Sequence, residues 1–161
     1  MALKILVVSD THGYQKNLLH VLKKVKPIDL LVHCGDLEGD VASIEREAGC
    51  EVIIVAGNND YGYPYEKVLT FQAGTHKVVV THGHKYSIYA GLDALYYLAR
   101  ENEADIVMFG HIHRPVLKRE DGVTFLNPGS LSLPRQENRR PSYAIMEVDD
   151  KNETHYTIRY L

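Results

Sequence analysis

A chain of 161 residues is about one domain long and can bury a full core without disulfides or a structural metal. Hydrophobic residues at 45% and charged residues at 24% suit a globular protein and argue against disorder. A net charge of -3 leaves no basic face for stable nucleic-acid binding, though a metal site could still attract a small phosphate-bearing substrate.

Cys34 and Cys50 are too few for a disulfide scaffold, and each borders an apolar run as a small buried hydrophobe would. No run reaches membrane-spanning length, and the start at Met1 to Ile5 reads as the lead-in to a strand rather than a signal peptide. A cytoplasmic protein without membrane contact is expected. Nine histidines are many for this length.

In chain order, Leu3 to Val8 is a continuous apolar run suited to a strand buried on both faces, and it stops at Ser9-Asp10-Thr11-His12-Gly13. Helical spacing over Asn17 to Val25 predicts a helix ending before Pro27. A short strand at Leu30 to His33 stops at Cys34-Gly35-Asp36. A helix at Val41 to Ala48 is closed by Gly49, and a strand at Glu51 to Val55 stops at Ala56-Gly57-Asn58-Asn59-Asp60. This β-α-β-α-β order implies parallel strands, whose carboxyl ends are where ligands bind.

The second half reads as a Tyr/Pro/Gly loop over 61–66, then a hairpin of Lys67 to Phe71 and His76 to Thr81 running into His82-Gly83-His84. A helix follows over Leu92 to Asn102. A strand at Asp105 to Met108 leads into Phe109-Gly110-His111-Ile112-His113. Val116 to Arg119 and Val123 to Leu126 form a hairpin, Asn127-Pro128-Gly129-Ser130 a turn, and Ser142 to Val148 with His155 to Tyr160 a last hairpin. The loop over 133–141, with Arg135, Arg139 and Arg140, is the expected mobile segment. The whole of 1–161 reads as a single domain.

Asp10, His12, Asp36, Asn58, His82, His111 and His113 all fall at strand ends. Mixed oxygen and imidazole donors suit manganese, iron, zinc, cobalt or nickel and disfavour calcium. Seven ligands exceed one tetrahedral ion and suit two ions roughly 3.5–4 Å apart, with one carboxylate shared. Singly the pieces have plainer readings: Asp10 could cap a helix, and Gly35-Asp36 could be only a turn.

As an ordered set, the blocks around Asp10, Asp36, Asn58, His82 and His111 resemble the calcineurin-like metallophosphoesterases. The short length and Asn127-Pro128-Gly129-Ser130 further resemble the small YfcE-type phosphodiesterases. The resemblance implies an α/β (α+β) four-layer α-β-β-α sandwich of two mixed sheets. It implies a dinuclear phosphodiesterase acting through a metal-bridging hydroxide, with manganese the leading metal. Asp10, His12, Asp36 and His113 would hold one ion, and Asp36, Asn58, His82 and His111 the other, with Asp36 bridging. Asn58 could also present its amide NH2 to a phosphate oxygen.

Many relatives of this wider kind carry a proton-donating His after the Gly-Asn pair, where this chain has Asn59. A missing general acid costs about 10²–10⁴-fold with poor leaving groups, and His84 is the candidate substitute. Asp60 is expected to support a ligand, as outer carboxylates do for metal-bound His, and His33 to be structural. His20, His76 and His155 read as solvated. Tyr61, Tyr63 and Tyr65 suit either a substrate pocket or a dimer contact. The three arginines suit either a substrate phosphate or a solvated loop. The substrate expected is a small phosphodiester; a phosphomonoesterase, a non-catalytic protein-binding scaffold on the same fold, and a homodimer or homotetramer stay open.

Overall fold

The computed structural model describes residues 2–161, and every expected element forms. Strands are β1 (Leu3–Val8), β2 (Leu30–His33), β3 (Glu51–Ile54), β4 (Val68–Ala73), β5 (His76–Thr81), β6 (Ile106–Met108), β7 (Pro115–Glu120), β8 (Val123–Pro128), β9 (Ser142–Val148) and β10 (Thr154–Tyr160). Helices are α1 (Lys16–Val25), α2 (Val41–Ala48) and α3 (Asp93–Glu101), with a single 3-10 turn at Ile88–Ala90. Among the described residues, no helix is long and apolar enough to cross a membrane.

Two mixed five-stranded sheets result, in the orders β10-β9-β1-β2-β3 and β4-β5-β6-β8-β7. Strand alternation explains how they stack. In β1, Ile5 and Val7 face the layer between the sheets, joined by Val78, Val80, Ile106, Met108, Ala144 and Met146. Leu6 and Val8 face the other way, onto Leu18, Val21 and Leu22 of α1 and Ile44 of α2. On the second sheet, Val79 and Val107 turn outward onto Leu95, Leu98 and Ala99 of α3. The result is the α-β-β-α sandwich, with apolar residues on both faces of the central strands. Each such fully buried side chain contributes about 1.5–3 kcal/mol.

Register places the site. Val8, His33 and Ile54 pair across β1, β2 and β3, so these three strands end at one level. Val80, Met108 and Leu126 do the same across β5, β6 and β8. All six run parallel within their sheets, and the loops carrying the expected ligands emerge together along one edge of the sandwich.

Three expectations change. Asn127 and Pro128 belong to β8, paired with Val116 and Pro115, and the turn begins only afterwards. Asp10 does not cap a helix, since Gln15 stands at the N-cap of α1. His76 is not simply solvated: its Nδ1 lies 2.7 Å from Asp105 Oδ2 and its Nε2 2.8 Å from the Asn152 carbonyl. Both neighbours are acceptors, which the doubly protonated ring satisfies, and its pKa is raised by the Asn152 carbonyl and by Asp105. Tyr65 also takes an internal role, its hydroxyl donating to Gly39 O at 2.9 Å and accepting from Val41 N at 3.2 Å.

Candidate metal centre

β1 ends when Asp10 turns into the left-handed region, at φ 54°, and four further expected ligands share this conformation: His12 at 49°, Asp36 at 58°, His111 at 75° and His113 at 56°. Such a backbone costs of order 1–3 kcal/mol per non-Gly residue and persists only where surroundings enforce it. Here it breaks each strand at once and lets short loops turn their side chains toward a common centre. Close approach demands glycine beside them. A Cβ on Gly57 would overlap Asp36 Oδ1, and one on Gly110 would overlap Ser9 Oγ.

Asp10 is fully buried, and its two oxygens differ sharply. Oδ2 accepts from Ser9 Oγ at 2.6 Å and from His111 N at 2.9 Å. Oδ1 is buried with no hydrogen-bond partner. It lies 3.3 Å from His113 Nε2, 3.6 Å from His12 Nε2 and 3.7 Å from His82 Nε2.

The three imidazoles are held from behind. His12 Nδ1 lies 2.6 Å from Glu38 Oε2, His82 Nδ1 2.7 Å from Cys34 O, and His113 Nδ1 2.7 Å from Leu133 O. Oxygen partners at Nδ1 fix the tautomer that leaves each Nε2 free to bind a cation, as in metal sites. Asp36 Oδ2 faces His82 Nε2 at 3.3 Å and His12 Nε2 at 3.7 Å. Asn58 Oδ1 lies 3.1 Å from His82 Nε2. The His111 ring packs 5.1 Å, centroid to centroid, from His82. The structure therefore gathers all seven expected residues. Two ligand sets, Asp10-His12-His113 and Asp10-Asp36-His82, are each tight enough to hold an ion.

Charge accumulates accordingly. Burial pushes the Asp10 carboxyl up, but the facing imidazoles of His113 and His12, with the charge of His82, outweigh it and hold it well below the usual range. Asp36 is lowered to about 2, its burial outweighed mainly by His82. The nearby Asp10 carboxylate raises His12, and Asp36 with Asp10 raises His82 against its burial. Two carboxylates drawing positive charge toward themselves, with an orphaned oxygen between three Nε2 atoms, form a donor set that fits divalent cations.

The supporting residues went largely unread in the sequence. Asp60, expected to support a ligand, does so through the backbone, accepting from three N–H groups: Asp36 at 2.8 Å, Gly57 at 2.7 Å and Glu38 at 2.8 Å. Asn59 binds Asp36 twice, through its backbone N to Oδ1 at 2.8 Å and its Nδ2 to Oδ2 at 3.0 Å. Ser130 Oγ donates to the Asp10 carbonyl at 2.7 Å, and Ser132 Oγ reaches the Asp10 and Thr11 carbonyls. His33, structural as expected, receives Gly35 N at Nδ1 and so donates from Nε2 to Thr11 Oγ at 3.0 Å. Burial lowers its pKa to about 4, so it stays neutral.

Around the rim, His84 sits 5.4 Å from His82 and 6.2 Å from His111, centroid to centroid. Tyr89, carried by the 3-10 turn, meets His111 edge-on at 5.9 Å, and Arg135 reaches its hydroxyl at 3.3 Å. The 133–141 loop is tied to the site, since Arg135 N donates to His113 O at 2.9 Å.

Comparison with known proteins shows the family and the fold. The model of the calcineurin-like phosphoesterase superfamily domain matches residues 3–151. A Bacillus subtilis protein named probable metallophosphoesterase YsnB is 35% identical over 153 residues, covering 94% of this chain and 88% of that one. The crystal structure of a predicted phosphoesterase from Streptococcus pneumoniae superposes with a TM-score of 0.82 at 32% identity, covering 99% of each chain. Vps29 from Entamoeba histolytica, solved with zinc, gives 0.79 at 24% identity over 98% of this chain and 99% of its own, a likeness of fold alone.

Proposed function

Because the chain belongs to the calcineurin-like phosphoesterase superfamily, we propose that it is a metal-dependent phosphodiesterase with a dinuclear centre. Asp10, His12, Asp36 and His113 hold one divalent ion, and Asp36, Asn58, His82 and His111 the other. Manganese is the leading metal, with nickel, iron, zinc or cobalt fitting the same donors. The observation that carries this reading is Asp10 Oδ1, buried without a hydrogen bond and ringed by three Nε2 atoms at 3.3–3.7 Å. A buried carboxylate oxygen is not left bare unless something else binds it. Asp36 Oδ2 faces one imidazole from each set, which supports its shared role, and Asp10 Oδ1 likewise faces both sets.

When bound, the ions supply an ionised water near neutral pH and offset the charge of the phosphoryl oxygens. The chain's own residues do the positioning. Asn58 keeps its NH2 for a phosphoryl oxygen while its carbonyl oxygen turns to the His82 side. Asn59 cannot donate a proton at neutral pH, and its amide is already bound to Asp36. Proton delivery to the departing alcohol therefore falls to His84 or to solvent, and leaving groups of low pKa react best. That favours activated diesters over esters of simple alcohols. A scaffold role would be supported by lost ligands, and all seven positions keep side chains able to bind metal.

Purified protein stripped with a chelator and supplied with manganese should cleave a bis-aryl phosphodiester. Absence of cleavage with every transition metal tried would overturn the enzymatic reading.

A further inference from the structure

A cavity of about 210 Å³ lies beside the metal centre, lined by Lys67, Val68, Thr81, His84, Lys85 and Tyr86. Lys67 precedes β4 and Lys85 follows the His82-Gly83-His84 turn after β5, and the antiparallel pairing of Val68 with Thr81 brings them together. Both lysines line the same cavity, and Lys67 lowers the Lys85 pKa. Neither is among the ion pairs of the described residues. Two neighbouring lysines without a carboxylate partner concentrate positive charge that an anion can join.

His84 connects this cavity to the metals. It forms part of the cavity wall, its ring stands beside His82 and His111, and its Nδ1 is buried with no hydrogen-bond partner. A phosphoester centred among the metal ligands would thus send one substituent past His84 toward the two lysines. His84 is also the side chain proposed above to serve the departing oxygen, which makes that substituent the leaving group.

We propose that Lys67, Lys85 and His84 form an anion subsite that receives a second phosphate carried on the leaving group of the substrate. The inference rests on the phosphodiesterase reading for the direction of the ester, and it narrows the substrate class to diesters whose departing alcohol is itself phosphorylated. Lysines hold such a group as point charges, without the bidentate geometry of arginine, so the subsite selects for charge more than for shape.

The first test is binding, independent of hydrolysis. Inorganic pyrophosphate is titrated calorimetrically into the chelator-treated full chain, into a Lys67→Gln/Lys85→Gln variant, and into a charge-matched Lys23→Gln/Lys24→Gln control on the exposed face of α1. The Lys67/Lys85 variant should bind about tenfold or more weakly, the scale of losing a hydrogen bond to a charged group. The control should match the wild type. Equal weakening in both variants, or in neither, overturns the subsite.

The second test uses the manganese-loaded protein and compares kcat/KM for a phosphorylated and an uncharged leaving group. The wild type should prefer the phosphorylated one, and the Lys67/Lys85 variant should lose that preference about tenfold. Hydrolysis with an unaltered preference sinks the subsite alone. Lysine-dependent binding without any hydrolysis sinks the phosphodiesterase reading and leaves the anion site standing.

Discussion

Replacing Asp60 with Asn tests whether the ligand loops are held by a single buried carboxylate. Asp60 is 6% exposed and takes backbone N–H groups from Asp36 and Gly57 on Oδ2 and from Glu38 on Oδ1. An amide has only one acceptor oxygen. If that oxygen keeps the Asp36 and Gly57 bonds, the new NH2 faces the Glu38 N–H donor to donor. Losing one hydrogen bond to a charged acceptor costs about 1.5–3 kcal/mol, and the other two weaken as the acceptor becomes neutral. For a domain of this size, about 3 kcal/mol lowers Tm by about 6–12 °C. Because the same carboxylate ties the Asp36 and Asn58 loops together, manganese affinity should fall about 10–100-fold. Thermal circular dichroism of the metal-free protein reads the first effect, and manganese titration the second. A variant that melts within about 2 °C of wild type and binds manganese equally well would refute the reasoning.

Asp36→Asn should abolish diester cleavage while leaving the fold intact by circular dichroism; full activity would refute its shared role between the ions. Asn59→His should raise the rate on alkyl leaving groups while weakening manganese binding about tenfold, because the Asn59 Nδ2 bond to Asp36 is given up. If rate and affinity both stay put, Asn59 neither marks the missing acid nor steadies Asp36. The raised pKa of His76 lies above its unfolded value of 6.5, so its stabilisation is complete below about 6.5 and is lost as pH rises through the folded value. The Tm difference between wild type and His76→Gln should therefore be larger near about pH 5.5 than near about pH 8.5. Equal differences would show that the ring is not charged between Asp105 and Asn152.

The layers, and the gathering of the expected ligands at one end of the strands, were legible because both rest on local pattern. Runs such as Leu3 to Val8 announce strands buried on both faces, and ligands placed after each run announce a site at the carboxyl ends. What escaped depends on chain segments far apart. Ser130 and Ser132 hold the Asp10 carbonyl from 120 and 122 residues away, and no spacing rule links them. His76 read as solvated because its acceptors, Asp105 and the Asn152 carbonyl, arrive from 29 and 76 residues further on. Glu38, which holds His12 Nδ1 from 26 residues away, belongs to no motif that marks it. Ligand identity is written locally; ligand orientation is written in register.

That division explains why so much of the surrounding chain serves backbone atoms instead of metal ligands directly. Five ligands sit at positive φ, each at a cost of order 1–3 kcal/mol, so the strain concentrated in these loops rivals the stability of a typical domain. Something must oppose it in the absence of metal. Asp60 holds three backbone donors, Ser130 and Ser132 hold the Asp10 and Thr11 carbonyls, and neutral His33 joins Gly35 N to Thr11 Oγ. Several of these contacts cross between chain segments, from Asp60 to Asp36 and Glu38, from Ser130 and Ser132 to Asp10 and Thr11, and from His33 to Thr11. His82 Nδ1 on Cys34 O and His111 N on Asp10 Oδ2 go further and join the two sheets. The expected ligands are thus held in position by the chain's own hydrogen bonds. The same buried hydrogen bonds that keep the ligands strained also lock the sandwich together along the edge where its six parallel strands end.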